Sequence, residues 1–306
     1  MIIDVIIPLY KPDRELFTLL ERLNKQTVPV NRIFLLNTEE KYFSGLIYGT
    51  DFSTRFRNVE VHHLSRREFD HGGTRRMGVR KSNADIFVMM TQDAMPINEF
   101  LLENLIKPLE GKVAVSYARQ MAGSDSSILE KFSRRFNYPE QSSVKSMKDV
   151  DRLGIKTFFC SNVCAAYRRD IYDLCGGFIK KAIFNEDMIY AATAMKLGYS
   201  VAYASDAQVL HSHNYNCRQQ FRRNFDLGVS QAEHPEIFGD ISSESEGGRM
   251  VKSATAYLRK NHMITKIPYF YLQCAWKYAG YFLGKHYRLL PMSVVKKCTS
   301  NTVYWK

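Results

Sequence analysis

The chain has 306 residues, 45% of them hydrophobic and 13% aromatic, which suits a globular protein with one large domain and an appendage. No apolar run approaches the ~20 residues that cross a bilayer, and Met1–Pro8 opens as a strand with no basic-then-apolar leader. The six cysteines are scattered without a C-x-x-C pair, which argues for reduced thiols rather than a disulfide frame or a zinc site.

The net charge of +12 is unevenly placed. Eleven of the 43 basic side chains, and none of the 31 acidic ones, fall in residues 247–306. The body before them is almost neutral, so the tail is what would meet an anionic surface, either lipid or nucleic acid.

In chain order, residues 2–7 read as a β-branched strand closed by Pro8-Leu9-Tyr10. Pro12 opens a helix with Leu16, Leu19, Leu20 and Leu23 on one face. Strands are expected at 33–36, ending on Asn37-Thr38-Glu39-Glu40, and at 59–63, before a dense polar stretch from Arg66 to Arg80. The five apolar residues Ile86 to Met90 predict a strand buried on both faces, delivering Thr91, Gln92 and Asp93 to its C-terminal end. A helix near 98–107 and a strand at 113–117 follow. Strands alternating with helices at this spacing predict right-handed βαβ units and a doubly wound, mostly parallel α/β sheet.

From 118 to 156 the periodicity fades, leaving either an irregular functional loop or two poorly patterned helices. A strand-like run spans 157–167, Gly176-Gly177-Phe178 makes a turn, and 186–197 forms a helix closed by Gly198. A short strand at 200–203, His211-Ser212-His213 and a helix from near Arg218 complete the body. The tail holds helices near 249–260 and 267–283. The expected division is therefore 1–240, with a donor half at about 1–117 and an acceptor half at about 157–240, followed by a basic, aromatic helical extension at 241–306.

Three constellations carry chemistry. Parallel strands align their C-termini, so Pro8-Leu9-Tyr10, Asn37-Thr38 and Thr91-Gln92-Asp93 converge on the crevice where open α/β sheets bind ligands. Tyr10 can stack on a base, Asn37 can bond its edge, and Asp93 offers a hard oxygen to Mg²⁺ or Mn²⁺; a plain turn before Pro96 is the bland alternative for Asp93. Asp70-His71-Gly72-Gly73-Thr74-Arg75-Arg76 adds glycines for close backbone approach and guanidiniums for phosphate, or is simply a helix start with solvated arginines. Glu186 and Asp187 open a helix, as a rigidly held general base or as ordinary N-terminal caps. His211 could join Asp93 on a metal, with His213 beside it; His62-His63 sits on a strand and reads as structural.

The order of these motifs resembles glycosyltransferase family 2, the inverting enzymes with a GT-A fold. The resemblance rests on Ile6-Ile7-Pro8-Leu9-Tyr10-Lys11-Pro12, the His71–Gly78 segment, Thr91-Gln92-Asp93 in place of a DxD motif, and the run from Ser161 through Gly176-Gly177-Phe178 to Glu186-Asp187. It covers roughly residues 1–230. Phe69–Arg75 together with Thr91–Ala94 looks most like bacterial rhamnosyltransferases of surface-polysaccharide assembly, which use dTDP-β-L-rhamnose. The resemblance implies nucleotide-sugar contacts at Pro8, Tyr10, Asn37, Arg75, Gln92 and Asp93. It also implies a Mg²⁺ or Mn²⁺ ion on Asp93 and His211, and Asp187 as base; Glu186, His213, His71 and Arg76 stand behind these. Thr91 departs from the usual first carboxylate of the metal motif, and Asn37-Thr38 from a paired Asp.

The implied partners are a nucleotide-sugar donor, dTDP-rhamnose ahead of a UDP-hexose, and a saccharide or lipid-linked acceptor. The expected location is cytoplasmic, peripheral on an anionic inner membrane face through the tail, and a homo-oligomer is admitted. Nucleic-acid binding through that tail leaves the strand tips unexplained and is not expected.

Overall fold

The computed structural model describes residues 1–239 and 244–306, the side chains of 244 and 245 excepted. Among the described residues nine strands form one sheet: β1 (Ile3–Tyr10), β2 (Arg32–Thr38), β3 (Val59–Leu64), β4 (Ile86–Met90), β5 (Met95–Pro96), β6 (Val113–Met121), β7 (Ser143–Lys145), β8 (Cys164–Arg168) and β9 (Ser200–Leu210). Their order is β3-β2-β1-β4-β8-β6-β9-β5, with β7 paired to β9. The first four pair in parallel, as the βαβ spacing predicts. β8 runs antiparallel between β4 and β6, while β6 and β9 are parallel. The sheet is mixed, parallel across its first four strands and antiparallel at β5, β7 and β8; with helices on both faces and a helical C-terminal region it bears out the expected α/β class.

β4 shows why its apolar run carries no alternation. Phe87 and Met89 enter one core cluster while Ile86, Val88 and Met90 enter the cluster on the opposite face. All five are buried, so period-two patterning has nothing to select. β1 and β2 are buried in the same way.

Two expectations are corrected. The stretch 118–156 is neither irregular nor wholly helical: β6 runs on to Met121, and a helix at Ile128–Asn137 and the strand β7 follow. That helix has no buried residue of its own, and its Ile128, Leu129 and Phe132 pack against Ala254, Leu258 and Phe270. Its apolar partner lies more than a hundred residues ahead, so local periodicity could not reveal it. The strand-like run at 157–167 is a strand only from Cys164; Gly154–Phe158 is a 3₁₀ turn whose Ile155 and Phe158 reach the core from a loop.

The tail folds back on the body. The Cys217–Glu233 helix crosses the Ile267–Lys285 helix at glycines: a Cβ on Gly280 or Gly284 would strike the carbonyls of Phe221 or Phe225, and one on Gly228 the carbonyl of Tyr281. Beyond it, Val295 and Trp305 share an apolar cluster with Ile183, Phe225 and Val229. Thr299 and Ser300 donate to the buried Asp226. A Gly284→Val substitution is expected to destabilise the protein by about 1–3 kcal/mol through this collision, read as a lower midpoint in urea unfolding. An unchanged midpoint would show that the two helices can separate at no cost.

Candidate active site

The C-terminal ends of β1, β4, β6 and β9 open onto a cavity of about 680 Å³. Pro8, Tyr10, His71, Arg75, Gln92, Asp93, Glu186, Asp187, His211 and His213 all border it, so strand tips separated by up to two hundred residues do converge. Asn37 and Arg76 do not line it. Asn37 is buried, donating to the Glu39 carbonyl at 3.2 Å and meeting His63 at 2.9 Å. Arg76 reaches back to the carbonyls of Gly176 and Phe178.

At the donor end, the exposed ring of Tyr10 rests edge-on against Tyr42 with centroids 5.8 Å apart. Gln92 holds the tip of β1 in both directions, accepting from the Tyr10 N–H at 2.8 Å and donating to the Tyr10 carbonyl at 3.2 Å. This locks β1 against the turn that carries Asp93.

That turn supplies one ligand of a compact cation site. Asp93, His211 and His213 each offer a ligand atom, and those atoms lie within 4.8 Å of one another. The Asp93 oxygens stand 3.5 Å from His211 Nε2 and 3.3 Å from His213 Nε2. Burial would raise the Asp93 carboxyl, but the hydrogen bond and charge of His211 outweigh it and hold the group well below the ordinary range. Burial, reinforced by the charge of His211, lowers His213 to about 4, so it is neutral and able to ligate at neutral pH. One carboxylate and two imidazoles can ligate a first-row divalent cation, the carboxylate being the donor that suits Mn²⁺. The donor set fits a divalent cation, with His213 as a third ligand atom beside Asp93 and His211.

The Asp70 segment does something other than approach a phosphate. Asp70 caps its helix by accepting from Gly72 and Gly73, and the same carboxylate accepts from the Ala182 N–H. A Cβ on Gly72 would strike the Ile179 carbonyl, and one on Gly73 would come within 2.8 Å of the Lys180 carbonyl. The glycines therefore let the 179–182 backbone lie against the helix end, and that contact fixes the start of the Glu186–Lys196 helix. Asn185 enters that helix in the left-handed region, at φ 63°.

The two carboxylates at that helix start differ sharply. Glu186 is buried and pairs with Arg75 Nε at 3.1 Å, while Asn162 Nδ2 donates to it at 3.0 Å. Arg75 also donates to the His71 carbonyl at 3.0 Å. Arg75 thus meets Glu186 through Nε alone, as an ion pair, and its side chain also borders the cavity. Burial opposes ionisation of Glu186, but Arg75 lowers its proton affinity. Asp187 accepts only backbone N–H bonds, from Asn162 at 2.9 Å and Met188 at 2.8 Å. Burial and the adjacent Glu186 charge push it up to about 7. Burial and the Arg75 charge thus drive the proton affinities of these neighbouring carboxylates apart, Glu186 downward and Asp187 upward.

Sequence reasoning placed Asn162 in the motif run that opens at Ser161 but gave it no role of its own; Asn162 donates to both carboxylates. The same reasoning missed Glu130, Arg134 and Tyr138 in and just after the 128–137 helix, Tyr215 and Arg223 after β9, and Met250 and Lys277 from the tail, all of which line the cavity.

Residues 4–175 match the profile described as Glycosyl transferase family 2. The chain belongs to glycosyl transferase family 2. This family 2 enzyme is 36% identical over 311 residues to the O-antigen chain rhamnosyltransferase RfbN of Salmonella typhimurium, a match covering 100% of this chain and 96% of that one. It is 41% identical over 256 residues to the O-antigen chain rhamnosyltransferase WbaN of Salmonella anatum, covering 83% and 80%. In fold it is similar to the mannosyltransferase PcManGT of Pyrobaculum calidifontis, solved with GDP-Man and Mn²⁺, at a TM-score of 0.64 and 14% identity, covering 94% and 88% of the two chains. The TarS 1–349 fragment of S. aureus follows at 0.51 and 13%, covering 94% and 91%. The glycosyltransferase fold expected from the motifs is borne out.

Proposed function

We propose that this family 2 glycosyltransferase moves L-rhamnose from dTDP-β-L-rhamnose onto a saccharide acceptor, with inversion, during assembly of a surface polysaccharide. Similarity to two O-antigen rhamnosyltransferases, over 100% of the chain for one and 83% for the other, carries the sugar and the process. The cavity carries the mechanism. Tyr10 offers its ring to the base, with Pro8 beside it, and Gln92 keeps both in register with Asp93. Asp187 accepts the proton of the acceptor hydroxyl as that oxygen attacks the anomeric carbon, and the nucleoside diphosphate leaves. Asp93, His211 and His213 would hold a divalent cation, Mn²⁺ or Mg²⁺, which neutralises charge on the leaving diphosphate. Glu186, kept anionic by Arg75, raises the proton affinity of Asp187 without itself reaching the acceptor.

The donor is tested by hydrolysis and turnover with dTDP-rhamnose, UDP-glucose and UDP-N-acetylglucosamine. Turnover is expected with the first and at least about tenfold less with the others; preference for a UDP-hexose would replace the donor assignment while leaving the fold and base untouched.

No helix among the described residues is long and apolar enough to cross a membrane. The Ile267–Lys285 helix nevertheless exposes Tyr269, Tyr271, Leu272, Trp276, Tyr278 and Phe282, within a segment that has no acidic residue. On this reading the enzyme sits in the cytoplasm and docks this face on anionic lipid, where a lipid-linked acceptor would be found. A second copy of the same face would oppose like charges, which disfavours self-association there. Co-sedimentation with phosphatidylglycerol vesicles at low salt is expected, weakening as salt rises and lost in the combined Leu272→Ser, Tyr278→Ser, Phe282→Ser variant. Absence of any pelleting at low salt would remove the membrane from the proposal.

A further inference from the structure

We infer that Gln120 is a positioning residue that sets the tautomer of His211, so that Nε2 is the atom presented to the cation; this rests on assigning Asp93, His211 and His213 to a metal. Gln120 lies at the C-terminal end of β6, only 2% exposed, and does not ligate anything itself. Its side-chain oxygen Oε1 receives two partners: Arg134 Nη1 from the Ile128–Asn137 helix, and His211 Nδ1 at 2.9 Å. Its Nε2 donates to Ser161 Oγ at 2.9 Å.

The donor and acceptor roles in this chain are forced. A guanidinium has only donors, so the carbonyl end of the amide must face Arg134; turning the amide over would set N–H against N–H. The Ser161 hydroxyl serves either way and imposes no contrary demand. With the carbonyl oxygen so fixed, His211 Nδ1 can meet it only as a donor. With that proton on Nδ1, the neutral imidazole presents Nε2 as a bare acceptor, whereas in the imidazolium the second proton sits on Nε2 facing Asp93 and would give way to a cation. His211 Nε2 stands 3.5 Å from Asp93 Oδ1 and 3.0 Å from His213 Nε2. An acceptor held opposite a carboxylate is the arrangement a cation completes, and a side chain that fixes an imidazole's other nitrogen is what keeps a metal-facing nitrogen aimed.

The chain has a second consequence. Arg134 is itself anchored to Glu130 at 2.8 Å, and Glu130, Ser133, Arg134 and Asn137 line the cavity. Ser161 adjoins Asn162, which holds both Glu186 and Asp187. Gln120 thus joins the cation corner to the wall bearing the proton acceptor through one buried amide.

The test is Mn²⁺ binding, followed by electron paramagnetic resonance with and without dTDP, alongside thermal unfolding of the metal-free protein. Gln120→Met keeps the volume but removes the acceptor, and is expected to weaken Mn²⁺ binding about 10- to 100-fold. Gln120→Glu keeps an acceptor facing both Arg134 and His211, and is expected to bind Mn²⁺ at least as tightly as the parent. A merely structural glutamine would give the opposite pattern, with the near-isosteric Met and the buried Glu both altering unfolding but neither altering Mn²⁺ affinity selectively. Unchanged affinity in Gln120→Met while Asp93→Ala loses Mn²⁺ overturns the inference and leaves the metal site standing. Unchanged affinity in Asp93→Ala and His211→Ala as well would instead remove the metal site. Should Gln120→Met not fold, a tenfold loss in Gln120→Glu overturns the proposal by itself.

Discussion

An Asp187→Asn enzyme is expected to lose transfer by about 10²- to 10⁴-fold, the range a positioned general base contributes, while binding the donor nearly as well as the parent. The amide oxygen can still accept from Asn162 or Met188, so the local fold should hold, and what is removed is the capacity to take a proton. Quench-flow transfer and calorimetric donor binding on the same sample separate the two effects. Normal turnover would take the base away from Asp187.

The pH dependence follows from the same environment. Burial and the Glu186 charge raise Asp187 from an ordinary 3.8 to about 7, so its ionised form fills only as pH rises through that value. Transfer should therefore climb with pH and level off above about 7. Because proton affinity is higher in the folded chain than in the unfolded one, the protonated group favours the fold on the acid side. That contribution is lost progressively as pH rises from about 4 to 7. Thermal midpoints of the parent should fall across this interval more than those of Asp187→Asn. Glu186→Gln should move the acid limb of the rate profile to lower pH, since it removes the neighbouring charge; a group that merely held the donor would leave that limb in place.

Removing the cation is the second large effect expected. Chelation should stop turnover and added Mn²⁺ or Mg²⁺ restore it, and Asp93→Ala should not be restored. The charge stabilisation at stake is several kcal/mol, a loss on the order of 10²-fold or more in rate. His213→Ala tests the third ligand. It should raise the Mn²⁺ concentration needed for half-maximal turnover rather than abolish the response. Full activity in chelator would remove Asp93, His211 and His213 from this role together.

The donor end of the site was legible because it is built at strand tips. A run such as Ile86–Met90 has only one comfortable place, the middle of a sheet, and the residue after it is carried to the ligand edge by topology alone. Tyr10, Gln92, Asp93 and His211 were found in this way. The same reasoning misplaced Asn37, since a residue at a strand end faces either the crevice or the protein, and periodicity is silent where both faces are buried. It also gave Gly72 and Gly73 to a ligand, when their neighbours are the carbonyls of Ile179 and Lys180. A glycine records that something comes close, without saying what.

The sequence alone determined the parallel βαβ core, the candidate carboxylates Asp93, Glu186 and Asp187, the His211 partner and the family. All of these follow from local apolar pattern or from motifs a few residues long. Only the tertiary structure decided which of Glu186 and Asp187 has the higher proton affinity, because that depends on Arg75, more than a hundred residues away, pairing with one and not the other. It likewise decided that the 128–137 segment is a helix, that the tail closes one wall of the cavity, and that Gln120 stands behind His211. Proton affinity, apolar partnership and tautomer are set by what lies across space, and the spacing of residues along the chain does not record it.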